Sequence, residues 1–277
     1  MSAYSTTKLL EVAIEAAKTG GNHAHQNTAR KNSVVQTYAH DVKLILDVEC
    51  QKKIEAVIRS HFPAHAILGE EDETCVGGIS LGTDKTHTAS QDDYEWIVDP
   101  IDGTVNFSHG LPIWCCSVAV RRGDTILAGA VYAPALDTLY TASLDHPSTR
   151  NGDPIHVSDK KELSQCIVLT GMDKNITPGV SPLAYFSKIA ESCQKARIAG
   201  SAALDLCWVA EGIADGYFEG SIYLWDIAAA GLIVQQAGGS GEIVARREEP
   251  NQMSYIGSNG HVQAELKALI SLPHGTV

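Results

Sequence analysis

The sequence has 277 residues, of which 44% are hydrophobic and 19% are charged, a composition typical of a globular protein with a sizeable core. Lysines and arginines number 21 against 33 aspartates and glutamates, a net charge of −12, which argues against the basic surface of a nucleic-acid binder. No stretch approaches the ~20 apolar residues of a membrane span, and seven scattered cysteines without a C-x-x-C pair predict reduced, buried thiols in a cytoplasmic protein.

The first 150 residues predict an α+β half. Apolar residues between positions 9 and 17 recur at helical spacing, and we expect this first helix to end at Gly20-Gly21. A second helix is predicted over residues 47–58, then a strand over 66–70 and an exposed loop over 73–95. Four strand patterns follow without intervening helices, at residues 96–98, 114–121, 126–132 and 138–142, and they predict an antiparallel sheet.

Residues 151–277 alternate between strands and helices. The predicted elements are a strand over 167–170, helices over 182–194 and 202–212, a short strand over 217–219, and a helix over 226–237 that ends at Gly238-Gly239. This alternation predicts an α/β half. We therefore divide the chain at residues 145–155, into 1–150 and 151–277.

Three acidic clusters are candidates for chemistry. The first is Gly69-Glu70-Glu71-Asp72, which follows a predicted strand and by itself is most simply a solvated turn. The second, W-I-V-D-P-I-D-G-T-V-N-F over residues 96–107, ends a strand in Asp99 and places Asp102 three residues later. Two carboxylates beside the N–H groups of a helix start suit hard cations and phosphate, although an Asp-Pro turn is an equally simple explanation.

The third cluster is L-W-D-I-A-A-A-G, residues 224–231. Asp226 stands where we expect a helix to begin, so helix capping explains it completely when it is taken alone. The small residues that follow predict that this helix packs closely against another element.

The three clusters, in this order, resemble the signature motifs of the inositol monophosphatase family. The stretches Gly200–Asp205 and A-D-G-Y-F-E (214–219) add to the resemblance. It implies the layered αβαβα sandwich shared with fructose-1,6-bisphosphatases, and hydrolysis of phosphate monoesters by a metal-activated water. It also implies two or three Mg²⁺ ions per active site, inhibition by lithium, and a homodimer.

The resemblance assigns roles to particular positions. The implied metal ligands are Glu70, Asp99, the carbonyl of Ile101, Asp102 and Asp226, with Glu71 as a nearby acid. Thr104 and its partner Asp47 would orient the attacking water, with Glu70 in the same catalytic set. The implied substrate contacts are Asp102, Gly103, Thr104, Gly200, Ser201, Ala202, Glu219 and Asp226.

The sequence departs from the family pattern at three places. Gln36 stands where a lysine is common, and Lys43 is a candidate to replace that charge. The loop after Asp72 is longer than usual, and residues 144–150 replace a glycine-rich stretch before Asn151-Gly152. None of these departures removes an implied metal ligand.

The leading hypothesis is a Mg²⁺-dependent phosphatase that converts myo-inositol 1-phosphate to inositol and phosphate. The same chemistry on histidinol phosphate, fructose 1,6-bisphosphate or 3′-phosphoadenosine 5′-phosphate is the nearest alternative, because a fold cannot identify a substrate. A non-catalytic regulatory or binding protein on the same fold is the alternative from another class. The expected partner is a small phosphate ester, with neither nucleic acid nor a membrane.

Overall fold

The computed structural model describes residues 4–31, 33–37, 42–72, 75–76, 79–80, 93–171, 184–247 and 249–271. The helices in this part of the chain are α1 (Thr6–Gln26), α2 (Ile45–His61), α3 (Thr104–His109), α4 (Ala184–Ser192), α5 (Ala202–Ala210), α6 (Leu224–Gln236) and α7 (Gln263–Ser271). The strands are β1 (Val34–Thr37), β2 (Val42–Leu44), β3 (Ala66–Gly69), β4 (Cys75–Val76), β5 (Ile79–Ser80), β6 (Tyr94–Asp102), β7 (Cys115–Arg122), β8 (Thr125–Ala133), β9 (Thr138–Ser143), β10 (His146–Arg150), β11 (Asp153–Pro154), β12 (Ile167–Thr170), β13 (Lys195–Arg197), β14 (Gly216–Tyr223), β15 (Ser240–Arg246) and β16 (Gln252–Ser258).

Two large sheets form the framework. The first has seven strands in the order β11-β10-β9-β8-β7-β6-β3, and its neighbours are antiparallel except for the parallel pair β3 and β6. The second has five strands in the order β13-β12-β14-β16-β15 and is mixed, because β12 runs parallel to both of its neighbours. The predicted antiparallel character of the first half is therefore confirmed apart from β3.

The helices and sheets alternate in five layers. Helices α1 and α2 pack on one face of the seven-stranded sheet, and α5 and α6 lie between the two sheets. Helices α4 and α7 cover the outer side of the five-stranded sheet. This arrangement confirms the αβαβα sandwich that the motif resemblance implies, and it brings the end of β6 close to the start of α6.

Small residues on α6 allow its close approach to the seven-stranded sheet. A Cβ on Gly129 of β8 would lie 2.8 Å from the Cα of Ala229, so the two backbones are nearly in contact. Ala228, Ala230 and Gly231 are also buried. The predicted close packing of this helix is confirmed, since larger side chains on either element would push the layers apart.

The prediction that the first helix ends at Gly20-Gly21 is wrong, because α1 continues through both glycines to Gln26. A Cβ on Gly20 would lie 2.6 Å from Cδ1 of Ile54, and one on Gly21 would lie 2.7 Å from Cδ1 of Tyr132. These glycines therefore let α1 press against α2 and β8. Tertiary packing outweighs the cost of about 1 kcal/mol that each glycine carries inside a helix.

Other element boundaries also differ from the predictions. The predicted loop over 73–95 contains the short antiparallel pair β4 and β5, and β6 begins at Tyr94; residues 73, 74, 77, 78 and 81–92 lie outside the described part. The predicted helix over 182–194 is seen as α4, with 172–183 outside the described residues. The predicted strand over 217–219 extends to eight residues, and α5 stops at Ala210 before Gly212, whose φ is +75°.

The six cysteines with described side chains are buried free thiols, as predicted: Cys50, Cys115, Cys116, Cys166, Cys193 and Cys207. In the part of the chain that the structure describes, no helix combines the length and the apolarity needed to cross a bilayer. The division into 1–150 and 151–277 stays a prediction. The largest apolar core draws residues from both halves, including Val131 and Ile233.

Candidate metal centre and active site

Three aspartates from two distant parts of the sequence meet where the end of β6 approaches the start of α6. Asp99 and Asp102 lie on β6, and Asp226 lies in the first turn of α6. One carboxylate oxygen from each residue lies within 4.8 Å of the other two. Asp99 and Asp102 are buried and Asp226 is partly buried. The second and third acidic clusters of the sequence therefore form one site.

The backbone of β6 explains why both of its carboxylates reach the same place. The pairing of β6 with β7 shifts register between Asp99 and Asp102, which is a bulge in the strand. Such an irregularity re-aims the side chains that flank it. Pro100 offers no N–H, and the N–H of Ile101 turns inward and donates to Oδ1 of Asp99 over 3.1 Å.

Asp226 adopts a position that differs from the prediction. It is the third residue of α6, not the residue before the helix, and its Oδ2 accepts a hydrogen bond of 2.9 Å from the N–H of Tyr223. The carboxylate thus caps the helix from inside its first turn. That placement turns Asp226 toward the end of β6 and still satisfies a backbone donor at the helix start.

The electrostatics of the cluster favour a cation. Burial raises the pKa of Asp99 well above its ordinary value, and the charges of Glu70, Asp102 and Asp226 raise it further. A hydrogen bond joins the carboxyl groups of Asp99 and Glu70. Among the described residues no lysine, arginine or histidine forms an ion pair with Asp99 or Asp102. Clustered carboxylate oxygens are the donors that Mg²⁺ and other hard cations prefer, so these residues fit such an ion.

The start of α5 holds Asp102 in place. Its Oδ2 accepts hydrogen bonds of 2.7 Å from both the hydroxyl of Ser201 and the N–H of Ala203, and its Oδ1 accepts one of 3.2 Å from the N–H of Ala202. The thiol of Cys115 lies 3.6 Å from the same Oδ2. Burial raises the pKa of Asp102, and these hydrogen bonds act in the opposite direction. Ser201, predicted to line the substrate pocket, is buried and donates its hydroxyl to a carboxylate of the metal centre.

Gly103 and Gly200 bring two backbone segments together. Both have positive φ, +90° and +87°, and a Cβ on Gly103 would lie 3.1 Å from the carbonyl oxygen of Gly200. The side-chain amide of Asn106 clamps the contact, because it donates to the carbonyls of Ala199 and Gly200 over 2.8 and 3.3 Å. Gly103, Thr104 and Gly200 therefore lie close together. Their contacts with phosphate stay predictions.

Thr104 and Asp47, the predicted water-orienting pair, are each held by the backbone. The Thr104 hydroxyl donates to the carbonyl of Ile101 over 2.8 Å, so that carbonyl also stands within the site. Asp47 is buried, and its Oδ2 accepts a hydrogen bond of 2.7 Å from the N–H of Leu44. The pairing of Thr104 with Asp47 stays a prediction.

The first acidic cluster is anchored to α2 and is more ordered than a solvated turn. The N–H of Glu70 donates to the carbonyl of Val98 over 3.1 Å, which continues the pairing of β3 with β6 and places Glu70 beside Asp99. Gln51 fixes the following turn. Its Oε1 accepts from the N–H of Glu71 over 2.9 Å, and its Nε2 donates to Asp72 over 2.7 Å. Gln51 lies one helical turn after Asp47, so one face of α2 serves both parts of the site.

Glu219, the predicted contact for substrate hydroxyls, is a nearly buried carboxylate on β14. Its Oε2 accepts a hydrogen bond of 2.5 Å from the hydroxyl of Tyr217. A Cβ on Gly171 would lie 2.1 Å from the carboxyl carbon of Glu219, so the end of β12 passes the carboxylate without a side chain. The position of the Glu219 carboxylate thus depends on β14, which carries it, and on the neighbouring parallel strand β12.

The sequence patterns did not single out Gln51, Asn106 and Tyr217. Asn106 stands inside the second motif, and Tyr217 lies two residues before Glu219, on the same face of its strand. These two positions in the sequence could have drawn attention to Asn106 and Tyr217. The role of each of the three residues, however, depends on a hydrogen-bond partner that only the fold brings close. The side chains of Gln36 and Lys43, and with them the proposed charge replacement, lie outside the described part. The Asn151-Gly152 turn is confirmed, with φ of +52° and +91°.

The fold and the site define the class of protein: a layered αβαβα sandwich with a cluster of aspartates that can hold a metal ion. A sequence model of the inositol monophosphatase family matches residues 5–271. The chain therefore belongs to the inositol monophosphatase family and is an enzyme of the phosphoric monoester hydrolase class. The family is metal-dependent, and the three-aspartate cluster can hold such a metal.

The relatives of this chain have different names. The Nus factor SuhB of Pasteurella multocida is 35% identical over 235 residues, covering 83% of this chain and 83% of that protein. A protein of Aquifex aeolicus named fructose-1,6-bisphosphatase/inositol-1-monophosphatase is 34% identical over 235 residues, covering 84% of each. The solved inositol monophosphatase of Anabaena (Nostoc) sp. PCC 7120 superimposes with a TM-score of 0.80 at 30% identity, covering 97% of both chains.

Proposed function

We propose that this protein is a Mg²⁺-dependent phosphatase whose substrate is myo-inositol 1-phosphate or a closely related polyol phosphate. The observation that carries the proposal is the convergence of Asp99, Asp102 and Asp226, with carboxylate oxygens within 4.8 Å. Bound Mg²⁺ supplies a lowered pKa for water and neutralises charge on the phosphoryl group. A chain of net charge −12 needs such cations in the site to attract an anionic ester.

The residues that would hold two or three ions are the five implied by family resemblance. Glu70, Asp99, Asp102 and Asp226 contribute carboxylates, and Ile101 contributes its carbonyl. The support from this chain is the hydrogen bond between the carboxyl groups of Glu70 and Asp99, and the Ile101 carbonyl that accepts from the Thr104 hydroxyl. Each is an oxygen donor of the type that Mg²⁺ prefers.

The remaining residues of the site bind and orient. The N–H groups of Gly103 and Thr104 donate to the phosphate, and the Thr104 hydroxyl with Asp47 orients the attacking water. Glu219 accepts hydrogen bonds from hydroxyl groups of the leaving alcohol. Gly200 and Ala202 line the substrate pocket, as the family resemblance implies. Holding the reactants in line supplies much of the rate enhancement in such a reaction.

Other phosphate esters are the competing substrates. The same site chemistry would hydrolyse histidinol phosphate, fructose 1,6-bisphosphate or 3′-phosphoadenosine 5′-phosphate. One relative is named both for fructose 1,6-bisphosphate, which is one of these esters, and for inositol 1-phosphate. The feature that favours a polyol is Glu219, because a carboxylate accepts hydrogen bonds from several hydroxyls at once.

A regulatory or binding protein that keeps the fold is the alternative from another class. The name Nus factor SuhB belongs to a relative with 35% identity, so a role of that kind is the specific form of this alternative. Retention of Glu70, Asp99, Asp102 and Asp226 favours catalysis. Phosphate release that depends on Mg²⁺ would separate the two possibilities.

Oligomeric state, location and inhibition complete the proposal. Val105, Leu111 and Ile198 are exposed apolar residues, and Asn106 ties α3 to the segment before Gly200, so they belong to one region of the surface. That region supports a homodimer, which light scattering after gel filtration would detect as twice the monomer mass. We also propose a cytoplasmic protein inhibited by lithium. Full Mg²⁺-dependent turnover in millimolar lithium would contradict that inhibition.

The test is phosphate release from a panel of monoesters, with and without Mg²⁺, for wild type, Asp99→Asn and the exposed control Asp159→Asn. We expect Mg²⁺-dependent release with a polyol phosphate leading, a loss of at least a thousandfold for Asp99→Asn, and no change for the control. Mg²⁺ should also raise the melting temperature of wild type more than that of Asp99→Asn. If another ester leads, the substrate assignment is wrong; if Asp99→Asn keeps its activity, the site assignment is wrong.

A further inference from the structure

We infer that Tyr217 is a positioning residue that sets the selectivity of this enzyme for polyol leaving groups. It acts by holding Glu219 in the orientation that accepts substrate hydroxyls. This inference rests on the proposed function, in which Glu219 contacts the leaving alcohol. Tyr217 itself is fully buried and does not touch the substrate.

The geometry gives Tyr217 one polar contact that matters here. Its ring belongs to the apolar core between the two sheets, and its hydroxyl donates to Oε2 of Glu219 over 2.5 Å. Residues two apart on a strand share a face, so the side chains lie side by side on β14. A hydrogen bond to a carboxylate is stronger than one between neutral groups and strongly favours one orientation.

The chemistry keeps Tyr217 a donor. Burial raises the pKa of its phenol well above the ordinary value, and the charge of Glu219 raises it further. The phenol therefore stays protonated wherever the enzyme is folded, and it donates its proton to Oε2. A carboxylate has about four acceptor positions, so this bond leaves Glu219 able to accept from a substrate as well.

Gly171 also lies against Glu219. Because a Cβ at this position would lie 2.1 Å from the Glu219 carboxyl carbon, the carboxylate occupies the space that a side chain at position 171 would fill. Tyr217 supplies the directional contact, and Gly171 supplies the space. Without the hydroxyl, the carboxylate would keep this space and lose the hydrogen bond from Tyr217.

The experiment uses Tyr217→Phe, Glu219→Gln and the double variant, with Tyr255→Phe as the matched control. Tyr255 is a buried tyrosine that pairs with Glu219 across β14 and β16, but its hydroxyl lies over Gly231 and Gly241. Two substrates are compared: the polyol phosphate that wild type hydrolyses best, and p-nitrophenyl phosphate, whose leaving group has no aliphatic hydroxyl. All assays use the full chain at saturating Mg²⁺.

We expect Tyr217→Phe to lower kcat/KM for the polyol phosphate about tenfold, mainly through KM, as loss of an oriented charged hydrogen bond predicts. Its kcat/KM for p-nitrophenyl phosphate should stay within about twofold of wild type, and Tyr255→Phe should match wild type on both substrates. On the Glu219→Gln background, Tyr217→Phe should cause no further selective loss, because both changes remove the same interaction.

The opposing outcomes separate the inference from the proposed function. If Glu219→Gln loses polyol selectivity and Tyr217→Phe does not, the inference is wrong and the proposed role of Glu219 stands. Equal losses of Tyr217→Phe on both substrates would mean a general structural role and would also overturn the inference. If Glu219→Gln leaves polyol hydrolysis unchanged, or wild type hydrolyses neither ester, the proposed function fails and the inference fails with it.

Discussion

Replacing Gln51 with methionine should weaken the whole acidic turn that carries Glu70. Gln51 is only 1% exposed, and methionine matches its length while removing every polar contact. The side chain makes three hydrogen bonds, of 2.9 Å from Glu71 N–H, 2.7 Å to Asp72 and 3.1 Å to Glu55. All three would be lost together.

The size of the effect follows from the kind of bond lost. A buried hydrogen bond between neutral groups contributes about 1 kcal/mol, and one to a charged group about 1.5–3 kcal/mol. The simple sum is about 4–7 kcal/mol, but bonds that share one side chain are not additive and methionine gains apolar burial. We therefore expect a loss of about 3 kcal/mol in unfolding free energy, or roughly 6–12 °C in melting temperature.

The assay is equilibrium urea unfolding with a chelator present, so that metal binding does not contribute. Gln165→Met is the matched control, because Gln165 is exposed and donates a single hydrogen bond of 2.9 Å to Glu162. Its loss should be below about 0.5 kcal/mol. A loss for Gln51→Met that is no larger than the control value would refute the reasoning that Gln51 holds the turn.

Three further predictions concern the titration and burial of single groups. Because burial and neighbouring carboxylates raise the pKa of Asp99, Mg²⁺ binding must release protons, so calorimetry should show tighter binding as pH rises and a heat that varies with the buffer. Burial raises the pKa of Asp205 well above 3.8, so the folded state keeps a proton that the unfolded chain loses. Wild-type stability therefore falls as pH rises through that raised pKa, and the stability of Asp205→Asn relative to wild type should increase from about pH 5 to about pH 8 in urea titrations. The hydroxyl of buried Ser143 has no hydrogen-bond partner among the described residues, whereas that of buried Ser148 donates to Ile233 over 2.6 Å; Ser143→Ala should be neutral or stabilising, and Ser148→Ala should cost about 1 kcal/mol.

Each of the three predictions, on Mg²⁺ binding, on Asp205 and on the two serines, has a result that would contradict it. Heats of Mg²⁺ binding that do not depend on the buffer would mean that Asp99 and its neighbours carry no displaced proton. A constant stability difference between Asp205→Asn and wild type across that pH range would mean that Asp205 is ionised in the folded protein. Equal effects of the two serine substitutions would mean that the Ser148 bond contributes nothing net.

Local patterns in the sequence were sufficient for most elements, and the resemblance of three motifs to a known family indicated the reaction class. The motif from Trp96 to Phe107 combines a buried strand end, a proline and two aspartates within twelve consecutive residues. Together with the turn at Glu70 and the helix at Asp226, it identified the family and the layered fold. The order of these motifs along the chain can be read from the sequence without knowing how far apart they lie in the folded protein.

Local patterns failed where a distant part of the chain decides the outcome. Gly20-Gly21 predicts a helix end, but α1 continues because the glycines face Ile54 and Tyr132. Asp226 predicts a cap before the helix, but it lies inside the first turn, where it meets the end of β6. At Gly20-Gly21 the local preference is worth about 1 kcal/mol, and packing between layers outweighs it. At Asp226 the capping preference is satisfied from a different position, because the carboxylate accepts from the N–H of Tyr223.

The sequence alone determined which oxygen donors this enzyme has and the order in which they occur. Only the tertiary structure decided their surroundings: Asp102 held by the start of α5, the turn at Glu71 held by Gln51, and Glu219 held by Tyr217. The physical reason is that a residue's chemistry is carried by its own side chain. Its orientation, burial and pKa depend on partners that chain folding brings from far away in the sequence.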